Sequence, residues 1–186
     1  MTADTRRRGD TRSKIQRVAL SRFTADGYDK TSLREIAEDL GVTKAALYYH
    51  FRTKENILES LVTDVGESIG ELITWVSSAP STRERRLEML RRLAELTRGG
   101  VGDLMRCVQQ NEVAVGSMPQ TMAVVHQYKD ELWRACTPPE ATIEDKLRAR
   151  VAIMTILISN KSADDVGGTD AERTAAALRI ASGVMP

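Results

Sequence analysis

Two cysteines, Cys107 and Cys136, are all that 186 residues contain. That number excludes a disulfide-stapled secreted scaffold and points to a reducing cytoplasm. The two lie too far apart in sequence for a metal-binding pair, and inert buried thiols are the expectation. No apolar run approaches the ~18–20 residues a membrane span needs, and Arg6-Arg7-Arg8 has no hydrophobic region behind it. The protein is therefore expected to be cytoplasmic, neither secreted nor membrane-bound. The only two histidines, His50 and His126, fall in different halves. No glycine-rich phosphate loop, metal-ligand spacing or nucleophile elbow occurs, so neither an enzyme nor a cofactor or metal is expected. Sustained strand-like alternation is missing as well.

What is present is ordinary in amount and uneven in placement. An apolar fraction of 41% and a charged fraction of 28% suit a chain that buries a real core. The formal charge is +1, yet residues 1–54 carry 12 Lys/Arg against 7 Asp/Glu and the remainder 15 against 19. A basic head on a mildly acidic body suggests that only the head meets a polyanion.

Helical periodicity fills the chain. Ile15, Val18, Ala19 and Phe23 stripe a first helix of about Thr11–Asp26, and Gly27 suits its C-terminal turn. Ser32 and Glu35 make a capping box for a second helix that ends at Gly41, and Thr43 opens a third that ends near His50. A long fourth helix, about Lys54–Ser78, stops before Pro80. Five more are expected: from Ser81 and Glu84 (a second capping box) to Gly99, about Gly102–Val115, Pro119–Cys136, Thr142–Ser162 and Thr169–Ser182. The fold class is thus all-α with about nine helices. The expected organisation is a flexible basic arm at 1–10, a helix-turn-helix domain at 11–53 and a ligand-binding and dimerisation domain at 54–186, with helix 4 connecting.

The informative segment is 31–54. Leu33, Ile36, Ala37 and Leu40 form the inner face of the second helix, Gly41 permits a tight turn, and Val42, Leu47 and Phe51 plug into the same core. Left on the outside of the third helix are Thr43, Lys44, Ala45, Tyr48 and Tyr49, with His50 just beyond. A polar, positive, hydrogen-bonding helix surface suits the major groove, which admits one helix.

These residues resemble the DNA-binding domain of the TetR family. The matches are Ser32, Ile36-Ala37, Gly41-Val42-Thr43 and the run from Leu47 through Tyr48-Tyr49-His50-Phe51 to Lys54, within about residues 11–60. The resemblance implies phosphate contacts from Thr31 or Ser32, Tyr48, His50 and Lys54, which fix register without reading sequence. It implies base-edge contacts from Thr43, Lys44, Ala45 and Tyr49, with Lys44 suited to guanine and Ala45 to a thymine methyl. Many members have Gly where Ala45 stands. Arg6, Arg7, Arg8 and Arg12 are candidates for further phosphate or minor-groove contacts.

The same resemblance implies a C-terminal domain that binds a small molecule and forms a homodimer through its last two helices, as a repressor released from a palindromic operator. The residues add their own support. Leu147, Val151, Met154 and Ile158 stripe one side of the penultimate helix, and Ile153, Ile156 and Leu157 widen the apolar surface beyond what one neighbour covers. Ala171, Ala175, Ala176, Ala177 and Ala181 permit close packing of the last helix. Candidate ligand contacts are Trp75, Met89, Met105, Met118, Met122, His126 and Trp133, adaptable or aromatic side chains on the middle helices. The run Gln109-Gln110-Asn111-Glu112 reads either as polar anchors or as a solvated face. The ligand itself is unidentified. Two alternatives stand beside this reading: an activator or protein-controlled regulator of the same fold, and, more distantly, a helical carrier or enzyme with a vestigial head.

Overall fold

The computed structural model describes residues 3–138, 140–159 and 166–186, with side chains from residue 10 onward. Among these residues the structure is helical throughout, with no strand. The helices are α1 (Ala3–Ala25), α2 (Leu33–Leu40), α3 (Lys44–His50), α4 (Lys54–Ser77), α5 (Arg83–Thr97), α6 (Gly100–Gln110), α7 (Glu112–Gly116), α8 (Pro119–Ala135), α9 (Ile143–Ser159) and α10 (Asp170–Val184). None is long and apolar enough to cross a membrane. They gather into two compact units, one of residues 1–64 with 104–122, the other of 65–103 with 123–186.

In the first unit Ile15, Ala19 and Phe23 recur every fourth residue, so one face of α1 meets the core, and all three are fully buried. Ile36 and Ala37 of α2, Leu47 of α3, and Ile57 and Leu58 of α4 complete that core. The capping box forms as expected: Ser32 Oγ accepts from the Glu35 amide at 3.3 Å, and the Glu35 carboxylate accepts from the Ser32 amide at 2.8 Å. Gly41 takes φ 64, a left-handed conformation open to glycine without strain, and Thr43 Oγ1 caps α3 by accepting from the Ala46 amide. Arg22 grips both oxygens of Asp39 at 2.6 and 2.7 Å and so braces α1 against α2. Gln16, almost fully buried, donates to Ser60 and Asp64 of α4 at 2.9 and 2.6 Å.

Three expectations of the chain reading are revised. α1 begins at Ala3, so the backbone expected as an arm is helical; the side chains of Arg6, Arg7 and Arg8 lie outside the described residues. The single helix expected from Gly102 to Val115 is broken at Asn111, which leaves α6 and α7. Its side-chain amide is committed elsewhere: Oδ1 accepts from the Tyr28 amide at 2.7 Å, and Nδ2 donates to the carbonyls of Phe23 and Cys107 at 3.0 and 2.8 Å. The cap of α5 is Thr82 rather than Ser81, with its hydroxyl accepting from the Arg85 amide. Ser81 is occupied, because Arg86 draws both its carbonyl and its hydroxyl.

In the second unit α9 packs most extensively on α10, and both rest on α5. Met89, Leu90 and Leu93 of α5, Ala152, Ile153 and Ile156 of α9, and Ala177 and Ala181 of α10 are buried. Reciprocal caps open α9 at Thr142 with Asp145 and α10 at Thr169 with Glu172. Arg86 is buried and also donates to the carbonyl of Pro186 at 2.6 Å, and desolvation holds its pKa below the ordinary guanidinium value.

The Tyr128 ring of α8 lies against Gly66 and Gly70 of α4. A Cβ added at Gly66 would land 2.9 Å from the ring's Cζ and closer still to Cε2, whereas one at Gly70 would meet Cε1 at an ordinary 3.4 Å. Helical glycine otherwise costs roughly 0.5–1 kcal/mol relative to alanine, so space decides the sign. Gly70→Ala is expected to raise the melting temperature. Gly66→Ala is expected to lower stability by roughly 1–3 kcal/mol through overpacking. Thermal melts of the two variants check the pair, and a Gly66→Ala protein that melts at or above the wild type would contradict it.

Candidate nucleic-acid interface

α3 presents a surface and a root. Its root is Leu47, fully buried, and the chain re-enters the core at Phe51. Thr43, Lys44 and Ala45 are exposed at the N-terminal end of the helix, and Tyr48 and Tyr49 keep 41% and 65% of their surface. Lys44 Nζ stands 5.4 Å from the centre of the Tyr48 ring. The rings of Tyr49 and His50 meet edge-on at 5.3 Å. Arg12, expected near the backbone of a polyanion, lays its guanidinium over the Phe51 ring at 4.7 Å. Eight of the nine residues assigned to DNA are thus exposed or half-exposed, around α3 and the starts of α2 and α4. Thr31 needs correction, and Lys54 has a second engagement.

Thr31 is almost fully buried, and its hydroxyl donates to the Gly27 carbonyl at 2.9 Å. The exposed hydroxyl at the start of α2 is that of Ser32, which donates to the Glu35 carboxylate. Lys54 is half-buried rather than presented to solvent. Its ammonium donates to the carbonyls of Tyr28 and Asp29 at 2.8 and 3.2 Å and sits 4.4 Å above the Tyr28 ring. Burial first, then the carboxylate of Glu55, pushes the Tyr28 phenol up, so that ring is a neutral platform for the cation. Lys54 therefore has a structural task at the turn of residues 27–31, alongside any phosphate it meets.

The candidate ligand residues are divided. Met105, Met118 and Met122 belong to the first unit and Trp75, Met89, His126 and Trp133 to the second. Met89 is a core residue, fully buried with its sulfur 3.7 Å from that of Cys136. His126 is exposed. Trp75 stands under the guanidiniums of Arg85 and Arg92, 4.4 and 3.8 Å from its ring, beside an open groove of about 400 Å³. Trp133 is half-buried between Lys129 and Arg150. Both thiols are fully buried, and burial pushes Cys107 up to about 11 and Cys136 up to about 12, which leaves them protonated at neutral pH. Asn111, which the sequence left open between a polar anchor and a solvated face, is an anchor of the turn after α1. Its only local signal is an amide inside an otherwise helical stretch.

With this geometry in place, comparison with known proteins is decisive for the head. Residues 15–61 match the family model described as bacterial regulatory proteins, tetR family. Residues 15–61 are thus a head of the tetR family. Over 63 residues it is 41% identical to the HTH-type transcriptional regulator AcrR of Shigella flexneri, a match covering 34% of this chain and 29% of that protein. Over 51 residues it is 43% identical to IcaR of Staphylococcus aureus, the biofilm operon icaADBC HTH-type negative transcriptional regulator, a match covering 27% of each. The alignments with these curated relatives therefore span less than a third of their lengths. Fold likeness extends much further. AibR, solved in complex with isovaleryl coenzyme A and operator DNA, superposes with a TM-score of 0.67 at 22% identity, covering 90% of this chain and 95% of that one. The likeness in fold thus continues past the head.

Proposed function

We propose that the chain is a TetR-type transcription regulator that binds a palindromic operator as a homodimer in the cytoplasm. We propose further that it represses until a small molecule releases it. The observation that carries this reading is the outer surface of α3, where Thr43, Lys44, Ala45, Tyr48 and Tyr49 stand exposed on a helix rooted by Leu47. Such a helix fits the major groove, and a palindrome is read by two of them about 34–36 Å apart. Support for the dimer comes from α9, whose Leu147, Val151, Met154 and Ile158 are exposed on one side while Ala152, Ile153 and Ile156 are buried on the other. Repression is proposed by analogy with IcaR, a negative transcriptional regulator, and a small-molecule ligand by analogy with AibR, which was solved with isovaleryl coenzyme A and operator DNA; release from the operator is our own proposal. A ligand releases the operator only if it binds the wrongly spaced state more tightly, and each tenfold preference is about 1.4 kcal/mol per site.

The deciding experiment is selection from a random duplex pool by the purified protein, followed by titration of the selected duplex against salt. A palindromic consensus bound with a steep negative salt slope is expected. Recovery of no consensus, or binding indifferent to salt, would overturn the reading. Mapping the consensus against the promoters it overlaps separates repression from activation.

A further inference from the structure

We infer that Asn111 is the positioning residue that locks the reading head to the 104–122 segment, so that whatever touches this segment is felt at the turn leading into α2. The inference rests on the reading of the chain as a dimeric DNA-binding protein.

The argument begins with an unsatisfied turn. α1 ends at Ala25 and Gly27 takes φ 93, so the Tyr28 amide points away from any helical acceptor. Asn111 Oδ1 supplies that acceptor at 2.7 Å, and Nδ2 of the same group reaches back to the Phe23 carbonyl in the last turn of α1. A third bond, from Nδ2 to the Cys107 carbonyl, ties the amide to its own helix, α6. One planar group thus donates and accepts on both sides of the turn, a pattern open to an amide and closed to a carboxylate or an alkyl group.

The next peptide, on the other side of the Tyr28 Cα, is held as well. Tyr28 O accepts from Lys54, as does Asp29 O. Residues 27–31 are therefore pinned by two side chains distant in sequence, and Ser32 follows at once as the cap of α2. The break between α6 and α7 falls at the residue that makes the contact, with φ −118 and ψ 33 there in place of helical values. The helix is interrupted where its side chain is needed. The segment so fastened carries Met105, Met118 and Met122, and it groups with the head in one compact unit. An occupant touching those methionines acts on the head through Asn111.

The test uses the full-length wild type, Asn111→Ala and Asn111→Asp. Amide exchange is followed at Tyr28, and duplexes are selected from a library in which half-site spacing varies. For Asn111→Ala, Tyr28 exchange is expected to rise about tenfold, the span of one lost hydrogen bond. The range of accepted spacings is expected to widen by at least one base pair while the half-site sequence stays the same. A purely structural amide would lower the melting temperature and leave the spacing preference intact, and that result overturns the inference. Should Asn111→Ala fail to fold, Asn111→Asp takes its place: it keeps the acceptor for Tyr28 but sets a carboxylate against two carbonyls, so widened spacing is again expected. An unchanged spacing preference in folded Asn111→Asp overturns it equally. If the wild type selects no duplex, the DNA-binding reading falls. The lock is then judged on exchange alone, and unchanged Tyr28 exchange in Asn111→Ala rejects it.

Discussion

Val151→Glu is expected to turn a dimer into a monomer and to weaken operator binding at least a hundredfold. Val151 keeps 53% of its surface, in line with Leu147 at 56%, Met154 at 41% and Ile158 at 44%. The side of α9 that its own unit needs is the other one, where Ala149, Ala152, Ile153 and Ile156 are buried. A glutamate at position 151 therefore leaves the fold of one chain intact. In a two-fold interface each substitution occurs twice, and near the axis a residue faces its own copy. Two carboxylates brought together out of water cost several kcal/mol, and each 1.4 kcal/mol is roughly a factor of ten in association. Operator affinity follows, because two linked heads gain about 10²–10⁴ over separate ones. Sedimentation of the purified variant measures the first effect and titration of the selected duplex the second. A variant that still sediments as a dimer at micromolar concentration would remove α9 from the interface.

That exposed stripe was legible in the chain because it is local: residues spaced by three and four fall on one side of any helix. The core of the head was legible for the same reason, through Ile15, Ala19 and Phe23 on α1 and the short-range chemistry of Ser32 with Glu35 and of Gly41. In each case the partners lie within a turn or two of one another. Position in sequence then stands for position in space.

What escaped the chain reading has the opposite character. Asn111 bonds Tyr28 and Phe23, which are 83 and 88 residues away. Arg86 reaches 100 residues to the Pro186 carbonyl and with another nitrogen engages Ser81, while the cap of α5 is Thr82. Thr31 and Lys54 fit their family positions, yet Thr31 closes the turn of residues 27–31 on itself and Lys54 ties that turn to the start of α4. A motif states which residue types occur and not how many tasks each performs. Those second tasks depend on backbone groups left unpaired at a turn, and no pattern of side chains announces them.

Lys54 and Tyr49 separate the two kinds of task in one comparison. An ammonium has three donors, and Lys54 spends two of them on the carbonyls of Tyr28 and Asp29. One N–H is left for a phosphate at the start of α4, where the helix N-terminus favours an anion. Lys54→Ala is therefore expected to lose on both counts. Stability should fall by about 1–2 kcal/mol, since hydrogen bonds to a charged group are each worth about 1.5–3 kcal/mol and partial exposure discounts them. The salt slope of operator binding should flatten by about 0.9 for each half-site, the contribution of one phosphate, with base preference unchanged. Tyr49→Ala removes a side chain that is 65% exposed, so the melting temperature should hold within the small range usual for surface positions. Its loss should appear at one base step, worth about 1–3 kcal/mol, while the salt slope stays where it was. Lys44→Ala is expected to behave like Tyr49→Ala with a different base affected. Calorimetry and a salt titration of the three variants decide the matter. Unchanged stability in Lys54→Ala would refute the clamp, and an altered base preference there would place Lys54 among the residues that read sequence.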